Sequence, residues 1–560
     1  MMEHISEQLP KTFNVAAYLL NGNLERGNNQ KVAFFSRQDN YTYEQLNQRV
    51  QQAARLLASL GLERENRLAI LLPDSPESVF AFWGAIWLGA VPVPINTGST
   101  IEQVQHILKD SRAKILLSDR CLYERSLAVV LKDTALHMRF SRAPDGALKD
   151  TASHNAGSHR SWQDKLAPIE SPFLQQVLLA DGDDSFLSLL SQQPQESLPC
   201  AETARDEPAF WLYTSGSTGM PKGVIHLHQS MVVCAENYAK ATLDLKPDDI
   251  TYSAAKIPFA YGLGNTLFMP LAVGASTVLS DASNIFDIIA DIHHYQPTVL
   301  FGIPSLYANL LAVSDIESLD VDSLRLCISA AEQLPESIWH QWRETYNREI
   351  YEGIGTTEFL HIFLANRPGE CKPGTSGRPV AGYDVQVVDP DGQPCPPGEI
   401  GDLVVSGESL MLGYWNRLAE TRKALYGNTM HTGDKYVRDE KGYFKFVGRK
   451  DDLFKVNGQW ISPLEIEDIL HQHPQILEVA VVPESDEGEK LTQVVAYVSL
   501  KSGKEPTSEL GTEIYQFAKQ RLTHFKAPKT LRFVEQLPRT ATGKIHRKSV
   551  ADSQKMALNK

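Results

Sequence analysis

Residues 213–226 read YTSGSTGMPKGVIH. Thr214, Ser215, Gly216, Ser217, Thr218 and Gly219 put six small residues in a row, and Pro221, Lys222 and Gly223 follow. Hydroxyls and glycines on a loop let side-chain O–H and backbone N–H groups close around phosphate oxygens. Lys222 adds a point charge. Phe210, Trp211 and Leu212, just before the run, read as the end of a buried strand. The order is not that of a P-loop, which needs Gly, four spacers and then Gly-Lys-Ser/Thr. A flexible surface loop is the competing reading of any Ser/Gly run. The strand before this one and the Lys-Gly after it favour a phosphate cradle.

Other residues able to do chemistry lie downstream. Glu358 closes GIGTTE, behind a Gly-rich strand end. Asp434 in HTGD and Arg449 in GRKDD are, taken singly, ordinary turn charges. Lys544 lies in PRTATGKIHR, where Thr540, Thr542 and Gly543 make a loop that presents one lysine. A merely solvated lysine is the alternative in a basic tail. His361 reads either as a pocket residue or as a satisfied core histidine.

YTSGSTGMPKGV resembles the phosphate-binding signature of the adenylate-forming superfamily, which comprises acyl-CoA synthetases, carrier-protein-loading adenylation domains and luciferases. The resemblance covers nearly the whole chain. It implies that a carboxylate attacks ATP, pyrophosphate leaves, and the acyl-AMP passes to a thiol. It implies ATP contacts from residues 214–219 and Thr357, Mg2+ on Glu358, and ribose contacts from Asp434 and Arg449. It places Lys222 and Lys544 on phosphate, Lys544 bridging the substrate carboxylate and the α-phosphate. Asp451 matches the hinge of a mobile C-terminal domain, and Gly458 the lining of a pantetheine tunnel. Ile354 stands where the superfamily often carries Tyr, which puts an aromatic stack on adenine in question.

A narrower resemblance is to the benzoate-CoA ligase group, through FAYGLGNTL, GIGTTEFLHIFLANRPG and KVNGQWISPLEIE. It implies that Ala260, Tyr261, Gly262 and His361 border the ring of an aryl acid. Amino-acid-loading domains place an Asp just after the Phe of KIPFAYG; Ala260 and Tyr261 stand there instead. An unpaired ammonium in an apolar pocket would be costly, so an amino acid is disfavoured. Ala331 stands where the group commonly has Gly, and one methyl is enough to shift which ring substituents fit. Hydroxy-, amino- or halobenzoates, a cyclic non-aromatic acid and a short acyl acid all stay open. So does the acceptor: CoA, or the phosphopantetheine arm of an acyl carrier protein. A luciferase-like oxygenase shares the fold and most motifs. A non-catalytic nucleotide-binding module is disfavoured by the presence of Glu358, Asp434, Arg449 and Lys544.

These residues need strand ends to stand on. The chain has 560 residues, enough for more than one core, with 42% apolar and 22% charged residues. A net charge of −14 argues against nucleic acid. The sign reverses over residues 519–560, a basic end suited to phosphate-bearing partners such as ATP or CoA. The six cysteines lie far apart with no CxxC pair, as in a reduced cytoplasmic protein. The first residues show no signal-peptide pattern. Oligomers are open.

A capping box at Thr42 and Gln45 predicts a helix ending near Gly61. Residues 67–72 read as a strand. Residues 79–95 read as a buried helix and a strand, with Pro76 at the helix start and Gly89 at its stop. Strand–helix–strand is the unit of a parallel sheet. The stretch 142–208 reads as an elaborated linker and surface loop, with helices near 173–179 and 186–190. Residues 377–440 read as a small antiparallel β subdomain, with a turn at Asp391-Gly392. Ser462, Pro463 and Glu465 predict a second capping box, then two strands and a helix near 513–522. Pattern and resemblance together predict an α/β chain. Residues 1–450 form a large N-terminal domain of two doubly wound sheets plus the β subdomain. Residues 451–560 form a small mobile α+β domain.

Overall fold

Thr42 accepts from the Gln45 N–H, and the Gln45 side chain accepts from the Thr42 N–H, so the expected capping box opens helix Tyr43–Ser59. Gly61 follows it at φ 85°, where glycine is favoured. Ser75 caps helix Pro76–Trp87, with Pro76 in its first turn. All of this helix but Glu77 is buried, which is why it is apolar all round. It crosses Tyr43–Ser59 closely at Gly84, where a Cβ would come within 2.8 Å of the Ala53 Cβ. Strand Val91–Pro94 follows, as the pattern predicts.

These elements belong to a computed structural model that describes residues 4–127, 171–182, 184–215, 220–313, 319–449, 452–456, 459–485, 492–501, 503–524, 526–539, 545, 547 and 549–550. The chain divides into two compact units. One comprises Met1–Thr298, Thr357–His361 and Glu408–Thr421; the other comprises Val299–Thr356, Ile362–Gly407 and Arg422–Lys560.

The first unit holds a parallel sheet in the order Val91–Pro94, Arg67–Leu71, Ile115–Ser118, Gln176–Leu179. The last of these corrects the sequence reading, which predicts a helix over 173–179. The run finds parallel ladder partners on Ile115–Ser118, and the tertiary pairing overrides the local helical pattern. Helix Phe186–Ser191 forms as predicted. The part of the expected linker from 171 to 208 is thus built into the fold, while residues 142–170 lie outside the described residues. A second parallel set runs Ile250–Ser253, Ser276–Val278, Val32–Phe35, with Tyr41–Thr42 antiparallel at its end. Strands Gly413–Tyr414, Pro221–Leu227 and Pro208–Ser215 form an antiparallel sheet.

In the second unit Val299–Gly302, Leu326–Ser329 and Ile350–Gly355 are parallel, and Ile362–Ala365 and Arg378–Pro379 continue antiparallel. The expected β subdomain is an antiparallel sheet of Tyr383–Val388, Ile400–Gly407 and Thr429–Arg438, joined by Leu425–Tyr426 and Phe444–Arg449. Its Asp391-Gly392 turn closes on the Gly392 N–H donating to the Asp389 carbonyl. Toward the C-terminus, Ile476–Ser485, Thr492–Leu500 and Thr530–Phe533 form a sheet. Ile466, Leu470, Val481, Ala496 and Ile514 share one core with helices Pro463–His471 and Ser508–Arg521. The second capping box is only half made. Ser462 accepts from the Glu465 N–H, but the Glu465 carboxylate is taken by Lys526 at 2.6 and 2.7 Å. A charged partner outcompetes a neutral amide here. No helix among the described residues is long and apolar enough to cross a membrane.

Candidate active site

The strands on either side of the hydroxyl–glycine run pair with each other. Thr214 lies opposite Lys222 and Ser215 opposite Pro221 in the antiparallel pair Pro208–Ser215 and Pro221–Leu227. The sequence reading expects a strand only before the run. Gly216, Ser217, Thr218 and Gly219 lie outside the described residues. At the root, the Tyr213 O–H donates to Asp110 Oδ2 at 2.8 Å. Burial, and then the Asp110 charge, hold this phenol far above its ordinary range, so it stays protonated. Gly223 gives the ring room, since a Cβ there would come within 3.1 Å of Tyr213 Cζ.

Lys222 and Glu358 are brought to one tyrosine. Lys222 Nζ lies 4.4 Å from the centre of the Tyr414 ring, and the Tyr414 O–H donates to Glu358 Oε1 at 2.6 Å. Lys222 Nζ also lies 3.1 Å from Glu420 Oε2. Glu358 sits on the 3-10 turn Thr357–Phe359, which Leu360 leaves at φ 66°. A branched residue there costs roughly 1–2 kcal/mol, and several bonds hold the turn against it. Met411 N donates to the Glu358 carbonyl at 2.8 Å, and Ser409 Oγ to the Phe359 carbonyl at 2.9 Å. His226 Nε2 lies 2.7 Å from the Thr357 carbonyl. Burial pushes His226 down to about 4, so the neutral ring donates. Sequence reasoning missed Tyr414, Glu420 and His226. Tyr414 is 56 residues from Glu358, and only its pairing with Val224 brings it there.

Ala260, Tyr261 and Gly262 open helix Ala260–Leu263. Tyr261 and His361 come together with ring centres 5.6 Å apart, and Tyr238 and Phe268 complete the ring cluster at 5.2 and 6.3 Å from His361. His361 is buried, with Nε2 3.2 Å from Asn265 Oδ1. Burial lowers its pKa to about 3, against the Tyr261 backbone, so the ring is neutral. This buried ring is what the core reading of His361 expects. Gly264 is needed beside it, since a Cβ would lie 2.4 Å from His361 Cδ2. Gly262 answers to the backbone: its Cβ would meet the Lys256 carbonyl oxygen at 2.1 Å. Asp74, also missed, holds this loop by accepting from the Ile257 N–H at 3.0 Å. Burial raises Asp74 to about 6, opposed by Lys256 and that N–H.

In the second unit, Ala331 follows strand Leu326–Ser329, exposed and at φ 74°. The backbone there has the left-handed form that favours glycine. Glu352, in register with Ser329 on the next strand, is 5% exposed. It accepts from Leu334 N at 3.2 Å and Ser376 Oγ at 3.3 Å. Burial raises it to about 8, so a neutral carboxyl anchors residues 330–335. Its place in YEGIGTTE is the signal that would have found it. Asp434 and Arg449 stand opposite each other on adjacent strands. Arg449 Nη1 donates to Asp434 Oδ1 at 2.7 Å, and Asp434 is 3% exposed. Asp451, Gly458 and Lys544 lie outside the described residues.

The chain matches the AMP-binding enzyme family over residues 23–415 and the AMP-binding enzyme C-terminal domain over residues 465–544. It is 37% identical to a 4-hydroxybenzoate–CoA/benzoate–CoA ligase of Rhodopseudomonas palustris, over 96% of this chain and 93% of that protein. It is 37% identical to a benzoate–CoA ligase of Thauera aromatica, over 96% of each. Among solved structures it is similar to an anthranilate CoA ligase in complex with anthranoyl-AMP. That match has TM-score 0.87 and 33% identity over 99% of this chain and 100% of the other. A benzoate CoA ligase from Burkholderia xenovorans matches with TM-score 0.83 and 34% identity, over 96% and 100%.

Proposed function

The chain belongs to the AMP-binding enzyme family and is an AMP-forming acid–thiol ligase; we propose that its acid is benzoate or a simply substituted benzoate and that its acceptor is CoA. The observation that carries this is the 37% identity to benzoate–CoA ligases over nearly the whole of each protein. The ring cluster of Tyr238, Tyr261, Phe268 and His361 supports it, with Ala260 and Tyr261 offering no charge to an ammonium. In the first step a carboxylate oxygen bonds to the α-phosphorus of ATP and the bond to the β-phosphate oxygen breaks, releasing pyrophosphate. In the second, a thiol sulfur bonds to the acyl carbon and AMP leaves.

Each step joins or separates anions, so the site must place positive charge and orient the reactants. Lys222, at the root of the 214–219 loop, supplies charge to the phosphates, and Lys544 is assigned to the α-phosphate and the acid. Asp434 accepts from ribose hydroxyls and Arg449 orients it. Mg2+ suits Glu358. The donor is a carboxylate held from one side by Tyr414, and among the described residues there is no cluster of three metal-ligating side chains. One carboxylate plus substrate phosphates is the usual Mg2+ arrangement. Bound there, the ion would neutralise phosphate charge.

Residues 1–450 are assigned to the adenylating body and 451–560 to a domain that turns about Asp451, with Gly458 lining the CoA path. All six cysteines are free, which supports a reducing, cytoplasmic setting. An acyl carrier protein is the second candidate acceptor, because its thiol arm has the same chemistry as CoA. The test is pyrophosphate release over a panel of carboxylic acids, with CoA, with a carrier protein, and with neither. Benzoates should give the highest kcat/KM, well above hexadecanoate or any amino acid. A clear preference for either of those sinks the proposal.

A further inference from the structure

Lys222 is paired within the protein in a way that the phosphate-site reading leaves unexplained. Its side chain is only 16% exposed, and Nζ rests between the Tyr414 ring and Glu420 Oε2. A cation so largely removed from water needs a counter-charge. Glu420 provides it at 3.1 Å, with its own side chain 36% exposed. Arg417 Nη1 lies 3.8 Å from Glu420 Oε1. Glu420 thus stands between two cations, and can give up Lys222 without being left a bare charge. Lys222 meanwhile sits opposite Thr214, the first hydroxyl of the run.

We propose that Glu420 is a built-in stand-in for a phosphate group, holding Lys222 on the Tyr414 ring until a nucleotide triphosphate takes the lysine from it. This rests on the reading of residues 214–222 as the phosphate site. The exchange breaks one lysine–carboxylate ion pair and makes one lysine–phosphate ion pair, and Arg417 keeps Glu420 neutralised afterwards. A carboxylate and a phosphate present like-charged oxygens to the ammonium, so they compete for it directly. Glu420 is then a positioning residue that sets nucleotide affinity. It holds Lys222 in place before ATP binds and weakens ATP binding by the strength of the pair it forms.

The test is a double-mutant cycle on the full chain. ATP binding, with Mg2+ present and no acid, is measured by calorimetry for the wild type, Glu420→Gln, Lys222→Ala and the double variant. A partly exposed ion pair of this kind is worth a factor of about two to five in an equilibrium. Glu420→Gln should tighten ATP by that factor, and the gain should vanish when Lys222 is already Ala. Glu420→Ala, which leaves no hydrogen-bonding group, should give the same gain. Unchanged or weaker ATP binding in both Glu420 variants overturns the stand-in role. The same gain in the Lys222→Ala background also overturns it, because the effect would not pass through the lysine. If Lys222→Ala alone binds ATP like the wild type, the phosphate reading beneath the proposal is what fails.

Discussion

Asp434 is nearly buried and spends one carboxylate oxygen on Arg449. If the other side meets ribose, Asp434→Asn keeps the shape and loses the charge. A charge-assisted contact is worth roughly 1.5–3 kcal/mol. The apparent KM for ATP should therefore rise about tenfold or more, with kcat much less affected. Wild-type ATP kinetics would remove Asp434 from the site. Glu358→Gln keeps an acceptor for the Tyr414 O–H but loses the metal-binding charge. The Mg2+ concentration for half-maximal pyrophosphate release should rise, and an unchanged Mg2+ titration would rule Glu358 out as a ligand. At Ala331 the backbone is left-handed, so Ala331→Gly relieves strain while freeing the unfolded chain. These effects oppose each other and leave stability within about 1 kcal/mol. Loss of one methyl should widen the acid preference toward bulkier rings. An identical substrate profile would mean residue 331 does not touch the acid.

At the level of elements, the parallel strands Leu326–Ser329 and Ile350–Gly355 are tied through Glu352 to residues 330–335. Its carboxyl titrates near 8 when folded against an ordinary value of 4.5. Below 4.5 both states hold the proton. Between 4.5 and 8 the unfolded chain ionises and the folded chain does not, so stability falls as pH rises, at most about 1.4 kcal/mol per pH unit. Above 8 the loss is constant. Glu352→Gln offers an oxygen to Leu334 N and an amide to Ser376 and removes the titration. Its stability relative to wild type should be similar near pH 4.5 and grow to favour the variant by pH 8, as read by chemical denaturation across that range. A pH-independent difference would show that Glu352 ionises as an exposed carboxylate does.

On the scale of the whole molecule, the two half-reactions are expected to use different arrangements of one chain. Lys544 and the Asp451 hinge lie outside the described residues, and their roles rest on motif. Lys544→Ala should abolish pyrophosphate release and leave transfer from a supplied acyl-AMP to CoA largely intact. Asp451→Pro fixes φ and removes an N–H. It should spare adenylation and slow thioester formation, since such motions commonly limit turnover. Assayed separately, an equal loss of both activities in both variants would end the two-arrangement reading.

The sequence alone determined what local chemistry could determine. The capping box at Thr42, the buried run before Gly89, the turn at Asp391-Gly392 and the paired strands near the C-terminus all follow from periodicity and turn residues within a few positions. Lys222, Glu358, Asp434 and Arg449 stood out as candidates because each sits in a short recognisable motif. The tertiary structure decided the rest. Residues 176–179 became a strand because the partner Ile115–Ser118 lies elsewhere in the chain. Glu465 left its own helix cap for Lys526, and Asp74 reached Ile257 from 183 residues away. Tyr414 joined Lys222 to Glu358 only through the strand that pairs with Pro221–Leu227. Contacts between distant residues leave no mark on local periodicity, so the residues that hold the candidates in place stayed hidden.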